Sequence, residues 1–249
     1  MNKTRFFIYL LVTIFLFGFS NSLIAETVDP PHTKQWKLMR GGLLYDNWAA
    51  VMFTTLPKTT HPAYPSNGKK EGGSTWRCKE CHGWDYRGKD GAYQKGSHYS
   101  GVKGIRNMVG APTKSIKEII RNDVHKYNES MIPEVELNNL AEFISHGQVD
   151  MTKFIDDASK EVKGDSEQGI VYYQTICANC HGLDGKSINF KPSKPDHPEY
   201  IGTVANKNPW EALHKLRHGQ PGVPMTSLLA LDIQSQIDIL AYTKTLPMK

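Results

Sequence analysis

The string Cys-Xaa-Xaa-Cys-His occurs twice, as Cys78-Lys79-Glu80-Cys81-His82 and Cys177-Ala178-Asn179-Cys180-His181, and the two copies use all four cysteines of the 249-residue chain. On a helix, residues at i, i+3 and i+4 share a face, so each copy would present two thiols and an imidazole on one side. That trio suits covalent attachment of haem, with the thiols bonded to its vinyl groups and the imidazole reaching the iron from the same side. Two other uses of the string compete. A pair of CxxC knuckles could hold one zinc, but the first cysteines are 99 residues apart and a histidine follows each pair. A redox dithiol would sit in a βαβ pattern, and none surrounds either copy. The chain therefore reads as a carrier of two covalent haems c, held by Cys78, Cys81, Cys177 and Cys180, with His82 and His181 as proximal iron ligands.

Residues 1–25 have the pattern of a secretory signal peptide: Lys3 and Arg5 precede the 14-residue apolar run Phe6 to Phe19, and a cleavage point follows Ala25, although Leu23 at the −3 position is larger than preferred. The apolar run is short for a bilayer span of about 20 residues, so an uncleaved membrane anchor is the lesser reading. Export to the periplasm agrees with c-type haem, which is attached outside the bacterial inner membrane. Removal of the segment leaves 224 residues, enough for two small domains, and lowers the formal charge from +5 to +3. The charge is uneven: residues 34–126 carry 17 Lys and Arg against 7 Asp and Glu, whereas residues 127–161 carry 2 against 8. The basic stretch is either solvated surface or a face that steers an acidic redox partner. Nothing in it points to nucleic acid.

The two copies of the string belong to a longer repeat. Cys78 and Cys177 differ by 99 positions, as do Phe143 and Tyr242 in two apolar closing segments, while Met131 and Met225 differ by 94. The second copy resembles class I cytochrome c along nearly its whole length, through Gly169, Tyr173 and Cys177 of the family's Gly-x-x-x-aromatic-x-x-x-Cys run. The resemblance implies an all-α fold of two tandem class I cytochrome c domains, each a small helical bundle around a covalent haem. It also implies that Gly169 lets the opening helix cross a closing helix within Leu231–Leu246, whose apolar face would be Ile233, Ile237, Leu240, Ala241 and Tyr242. The first copy keeps the spacing with Gly41 and Tyr45 but inserts 29 residues before Cys78, rich in Pro and Gly and read as a loop over about 52–75. The expected organisation is a first domain over 26–147, a linker over 148–165 and a second domain over 166–249. Met151, Phe154, Ile155, Ala158 and Val162 are spaced as a short amphipathic helix in the linker, and Ser166 is the expected cap of the next helix.

The sixth iron ligands decide what the metal can do. Met225 stands 44 residues past His181 in Gly219-Gln220-Pro221-Gly222-Val223-Pro224-Met225, the kind of Gly/Pro-rich loop in which class I cytochromes carry their methionine ligand. Met131 holds the corresponding place in the first copy, with Met108, His98 and His125 as competitors. Trp76, Trp84 and Tyr86 flank the first string, and Arg77, Lys79, Lys89, Lys95 and Arg106 are candidates for haem propionates or a docking patch.

A thioether on iron favours the reduced state and fills the coordination sphere. The leading functional reading is thus a periplasmic electron carrier with a layout similar to cytochrome c4, making and breaking no bond. A haem enzyme is the alternative. Dihaem thiosulfate dehydrogenases, which the layout resembles, use a cysteine as distal ligand, and here every cysteine is committed to thioether bonds. A peroxidase-like site would need an open iron. The chain could also serve as the cytochrome subunit of a larger, membrane-associated oxidoreductase.

Overall fold

Two adjacent glycines set how the helices meet. A computed structural model describes residues 33–249; the signal segment expected over 1–25 lies outside the described residues. Helix α1 (Lys34–Val51) starts at Thr33, whose side chain accepts the Trp36 N–H. Gly41 faces α4 (Glu134–Glu142), and a Cβ there would strike the Asn139 carbonyl and Phe143. Its neighbour Gly42 faces α8 (Pro209–His218), where the His218 ring fills the space a side chain would need. Helix α1 is therefore clasped from both sides, with Leu44, Tyr45 and Trp48 buried.

The second half repeats the first crossing. Helix α5 (Ser166–Tyr172) passes α9 (Ile233–Thr245) at Gly169, whose Cβ would strike the Asp238 carbonyl. Tyr45 and Phe143 lie 5.4 Å apart by ring centroids in the first half, and Tyr173 and Tyr242 lie 5.1 Å apart in the second. Between these pairs run the short helices α2 (Cys78–His82), α3 (Thr113–Arg121), α6 (Ala178–His181) and α7 (Ile201–Lys207). The fold is all-α; among the described residues the only β pairing is two isolated bridges. None of the described helices is long and apolar enough to cross a membrane.

One apolar core joins the halves, running from Leu44, Trp48 and Phe143 to Leu213, Leu216 and Leu240. Each such side chain contributes roughly 1.5–3 kcal/mol on burial. Polar bonds register the same contact. His214 of α8 donates from Nε2 to the Gly42 carbonyl (3.0 Å), leaving Nδ1 to accept the Tyr86 hydroxyl (2.8 Å). Buried Asp46 meets Lys215 at 2.8 Å and also pairs with Arg77.

Two local expectations are corrected. The linker forms a 3₁₀ turn at Met151–Lys153 and then a tight reversal, with Ile155 bridged to Val162, in place of an amphipathic helix. Asp156 Oδ1 accepts the Ala158 and Ser159 N–H groups, and Lys160 takes a positive φ of 61°, so the chain folds back before a helix can propagate. Met151 and Ile155 are buried nonetheless, which is why their spacing imitated an apolar helix face. The cap of α5 is Asp165, whose carboxylate accepts the Glu167 and Gln168 N–H groups; Ser166 is the first helical residue.

Candidate functional site

The first CxxCH forms the short helix α2, and five groups fix its ends. Arg77 donates from Nε to the Asp46 carbonyl (2.7 Å) and pairs with the Asp46 carboxylate, which ties the residue before Cys78 to α1. Trp48 Nε1 and the Tyr127 hydroxyl both donate to the Trp76 carbonyl, at 2.9 and 2.7 Å. The Tyr45 hydroxyl donates to the carbonyl of Gly83 (2.6 Å), which ends the helix at φ 82°. The His82 carbonyl accepts the Gly88 N–H at 2.8 Å.

The His82 ring is anchored as well. Its Nδ1 lies 2.8 Å from the Lys103 carbonyl. A carbonyl only accepts, so Nδ1 carries the hydrogen and Nε2 keeps its lone pair. Burial pushes the imidazole down to about 4, so it is neutral at pH 7. That is the state a metal-ligating histidine requires.

Cys78, Cys81 and His82 line one wall of a predominantly apolar cavity of about 290 Å³, close to the ~300 Å³ at which ligand pockets begin. Met108, Ile116, Ile120 and Val124 line it further, and Tyr45 and Tyr127 also reach it. His125 faces His82, with ring centroids 6.2 Å apart and planes inclined by 28°. The 52–75 insertion is folded onto the cavity, to which it gives His61, Ala63 and Thr75.

Met131, expected opposite His82, is half-buried against the core and is not among the residues lining the cavity. Its backbone is held in a turn in which its N–H meets both the carbonyl and the side chain of Asn128. Met108 does reach the cavity. His98 is engaged elsewhere, bonded through Nδ1 to Glu80 (3.0 Å) and stacked on Tyr93. Of the cations near the string, Arg77 is committed to Asp46 and Lys79 to Glu80. Arg106 keeps a buried Nη1 with no hydrogen-bond partner among the described residues, which leaves it suited to an anionic group.

The second CxxCH is built alike. The Tyr173 hydroxyl donates to the Gly182 carbonyl (2.9 Å), Gly182 takes φ 80°, and the His181 carbonyl accepts the Ser187 N–H at 3.0 Å. His181 Nδ1 is buried without a hydrogen-bond partner among the described residues. The flanking side chains Ile176, Leu183 and Phe190 are exposed, with the Phe190 ring 6.1 Å from that of His181. Met225 is half-buried in the loop between α8 and α9. In the same loop Gly219 and Gly222 take positive φ, and Gly222 packs on Ala50 of α1.

None of the four cysteines is in a disulfide. Burial pushes Cys78 and Cys81 up to about 12 and Cys177 up to about 11. A redox dithiol needs the opposite shift, toward thiolate. Among the described residues no group of three or more His, Cys, Asp or Glu side chains is arranged to hold a metal ion. The donor set that does exist, two neutral thiols and one oriented imidazole beside an apolar cavity, suits a macrocycle that brings its own metal.

His61 was not legible as a functional residue in the sequence. Its Nδ1 accepts the Ala63 N–H (3.1 Å), so Nε2 carries the hydrogen and donates to the His125 carbonyl (2.8 Å). A bond to a main-chain carbonyl 64 positions away leaves no trace in residue spacing. The chain matches no family model, no curated protein and no solved structure.

Proposed function

We propose that this protein is a dihaem c-type cytochrome that passes single electrons between redox partners. One observation carries the reading: the His82 Nδ1 is tied to the Lys103 carbonyl, which leaves Nε2 its lone pair, and the ring lines an apolar cavity together with Cys78 and Cys81. Cys78 and Cys81 would hold the first haem and Cys177 and Cys180 the second. Their thiols would hold the haems through thioether bonds, formed by addition of S–H across a vinyl group with no net redox change. His82 and His181 would ligate the two irons. Bound haem supplies a one-electron iron couple whose potential follows from its axial ligands and burial.

The chain's own residues would orient and insulate that group. Tyr45 and Tyr173 brace the turns after the two helices. Arg106, which lies outside the cavity lining but between its residues Ile105 and Asn107 and has a buried unpaired nitrogen, would receive a propionate extending out of the cavity. At the second string, a porphyrin would cover Ile176, Leu183 and Phe190 and leave Met225 as the proposed opposite ligand. The repeated crossings at Gly41 and Gly169 support two cytochrome c domains, over 26–147 and 166–249, packed through α1 and α8. Periplasmic export and an acidic redox partner at the basic first domain belong to the same proposal.

The test is haem stoichiometry after denaturation. Expressed with a c-type maturation system, the protein is expected to carry two covalent haems, and the Cys78→Ala/Cys81→Ala variant one. A denatured chain free of haem colour would refute the reading.

A further inference from the structure

The geometry points to His125 as the side chain that completes the iron coordination of the first haem opposite His82, with His61 of the insertion as its positioning residue. The inference rests on the proposal that the first CxxCH carries haem, and it gives that site two imidazoles in place of an imidazole and a thioether.

Distance is the first support. A metal–imidazole nitrogen bond is about 2 Å long, and the ring centre lies about 1 Å beyond, so two rings sharing one metal on a common axis have centres about 6 Å apart. The His82 and His125 centroids are 6.2 Å apart. An ordinary ring pair also falls within about 4.5–7 Å, so distance alone does not separate a ligand pair from a packing pair.

Anchoring is the second. His125 Nδ1 lies 3.4 Å from Asn122 Oδ1, as His82 Nδ1 lies 2.8 Å from the Lys103 carbonyl. The His125 ring also hydrogen-bonds the Ile119 carbonyl, so one nitrogen of each ring carries the hydrogen and the other keeps its lone pair, and both rings line the cavity they share with the two thiols.

The build of the segment around His125 is the third. Asn122 Oδ1 accepts the Val124 and His125 N–H groups at 3.0 Å each, and Lys126 takes φ 56°, a left-handed conformation unfavourable for lysine. His61 closes the turn from the other side through the His125 carbonyl. His61 is itself held: its N–H meets the Thr75 hydroxyl at 2.8 Å, and its ring lies 4.3 Å from Trp76. The insertion thus acts as a clasp that sets where His125 points. Met131 has no comparable route, since it does not line the cavity.

Two imidazoles lack the thioether that raises a haem potential. The first haem should therefore titrate below the second, giving two reductive steps. The test uses the haem-loaded full chain and reads ligation spectroscopically. The wild-type protein should show the long-wavelength charge-transfer band of thioether-ligated ferric haem for at most one of its two haems. Two thioether-ligated haems in the wild-type protein would overturn the assignment with no mutant needed. His125→Ala should turn one haem from low-spin to high-spin, with low-spin character restored by added imidazole. Met131→Leu and Met108→Leu should leave the spectrum unchanged. His61→Phe should raise the high-spin fraction of the same haem or shift its potential while the second haem stays as it was. Covalent haem whose low-spin state is lost in Met131→Leu or Met108→Leu, and kept in His125→Ala, would defeat this assignment alone; absence of covalent haem would defeat the proposed function beneath it.

Discussion

Asp46→Asn is the perturbation that most directly tests how α1, α2 and α8 are joined. Asp46 is fully buried on α1, and its carboxylate meets Arg77 just before α2 and Lys215 on α8. Burial alone would raise its pKa, but Lys215 and Arg77 outweigh that and bring it from 3.8 down to about 2. One pKa unit is worth about 1.4 kcal/mol, so the ionised form contributes about 2 kcal/mol to folding. The sign follows from the depressed value: the contribution is complete above the unfolded-state pKa near 4 and is lost as pH falls through the folded-state value near 2. Asparagine keeps the shape and removes the titration. Urea unfolding of the haem-loaded wild type and of Asp46→Asn, followed by far-UV circular dichroism, should differ by about 2 kcal/mol at pH 7. The gap should close steadily from pH 4 to pH 2. A gap of the same size at both ends of that range would show that lost packing, not the ion pairs, accounts for it.

Other outcomes follow from single contacts. Gly169→Ala drives a methyl into the Asp238 carbonyl and should cost about 1–3 kcal/mol, read by thermal unfolding, with the same effect for Gly41→Ala against Asn139. Tyr86→Phe leaves His214 Nδ1 buried without its donor and should cost about 1–3 kcal/mol, read by thermal unfolding. Arg106→Gln should leave haem content unchanged while shifting the potential of the first haem only, as measured by spectroelectrochemical titration.

Much of the fold was legible because it rests on local patterns. The closing helix expected within Leu231–Leu246 is observed over Ile233–Thr245, since an apolar stripe at helical spacing needs one partner and Gly169 supplies the crossing. The linker was misread because burial at Met151 and Ile155 gives helical spacing whether or not the backbone is helical, and the Asp156 side-chain bonds then favour a turn. Gly42 carries no sign in sequence that it faces a different helix from Gly41.

The sequence by itself determined that each CxxCH brings two thiols and an imidazole together, because their convergence is a property of one helical turn and involves no distant residue. It also determined the repeat and the helix crossings, which depend on periodicity and on two glycines. The tertiary structure decided what stands across the cavity from His82. That choice depends on a turn at Asn122, a left-handed Lys126 and a carbonyl held from the insertion by His61, all set by hydrogen bonds between segments far apart in the chain. Met131 and His125 differ little in their distance along the chain from His82, but His125 lines the cavity and Met131 does not, and the insertion reaches the His125 carbonyl through His61, which packs on Trp76 and Tyr127.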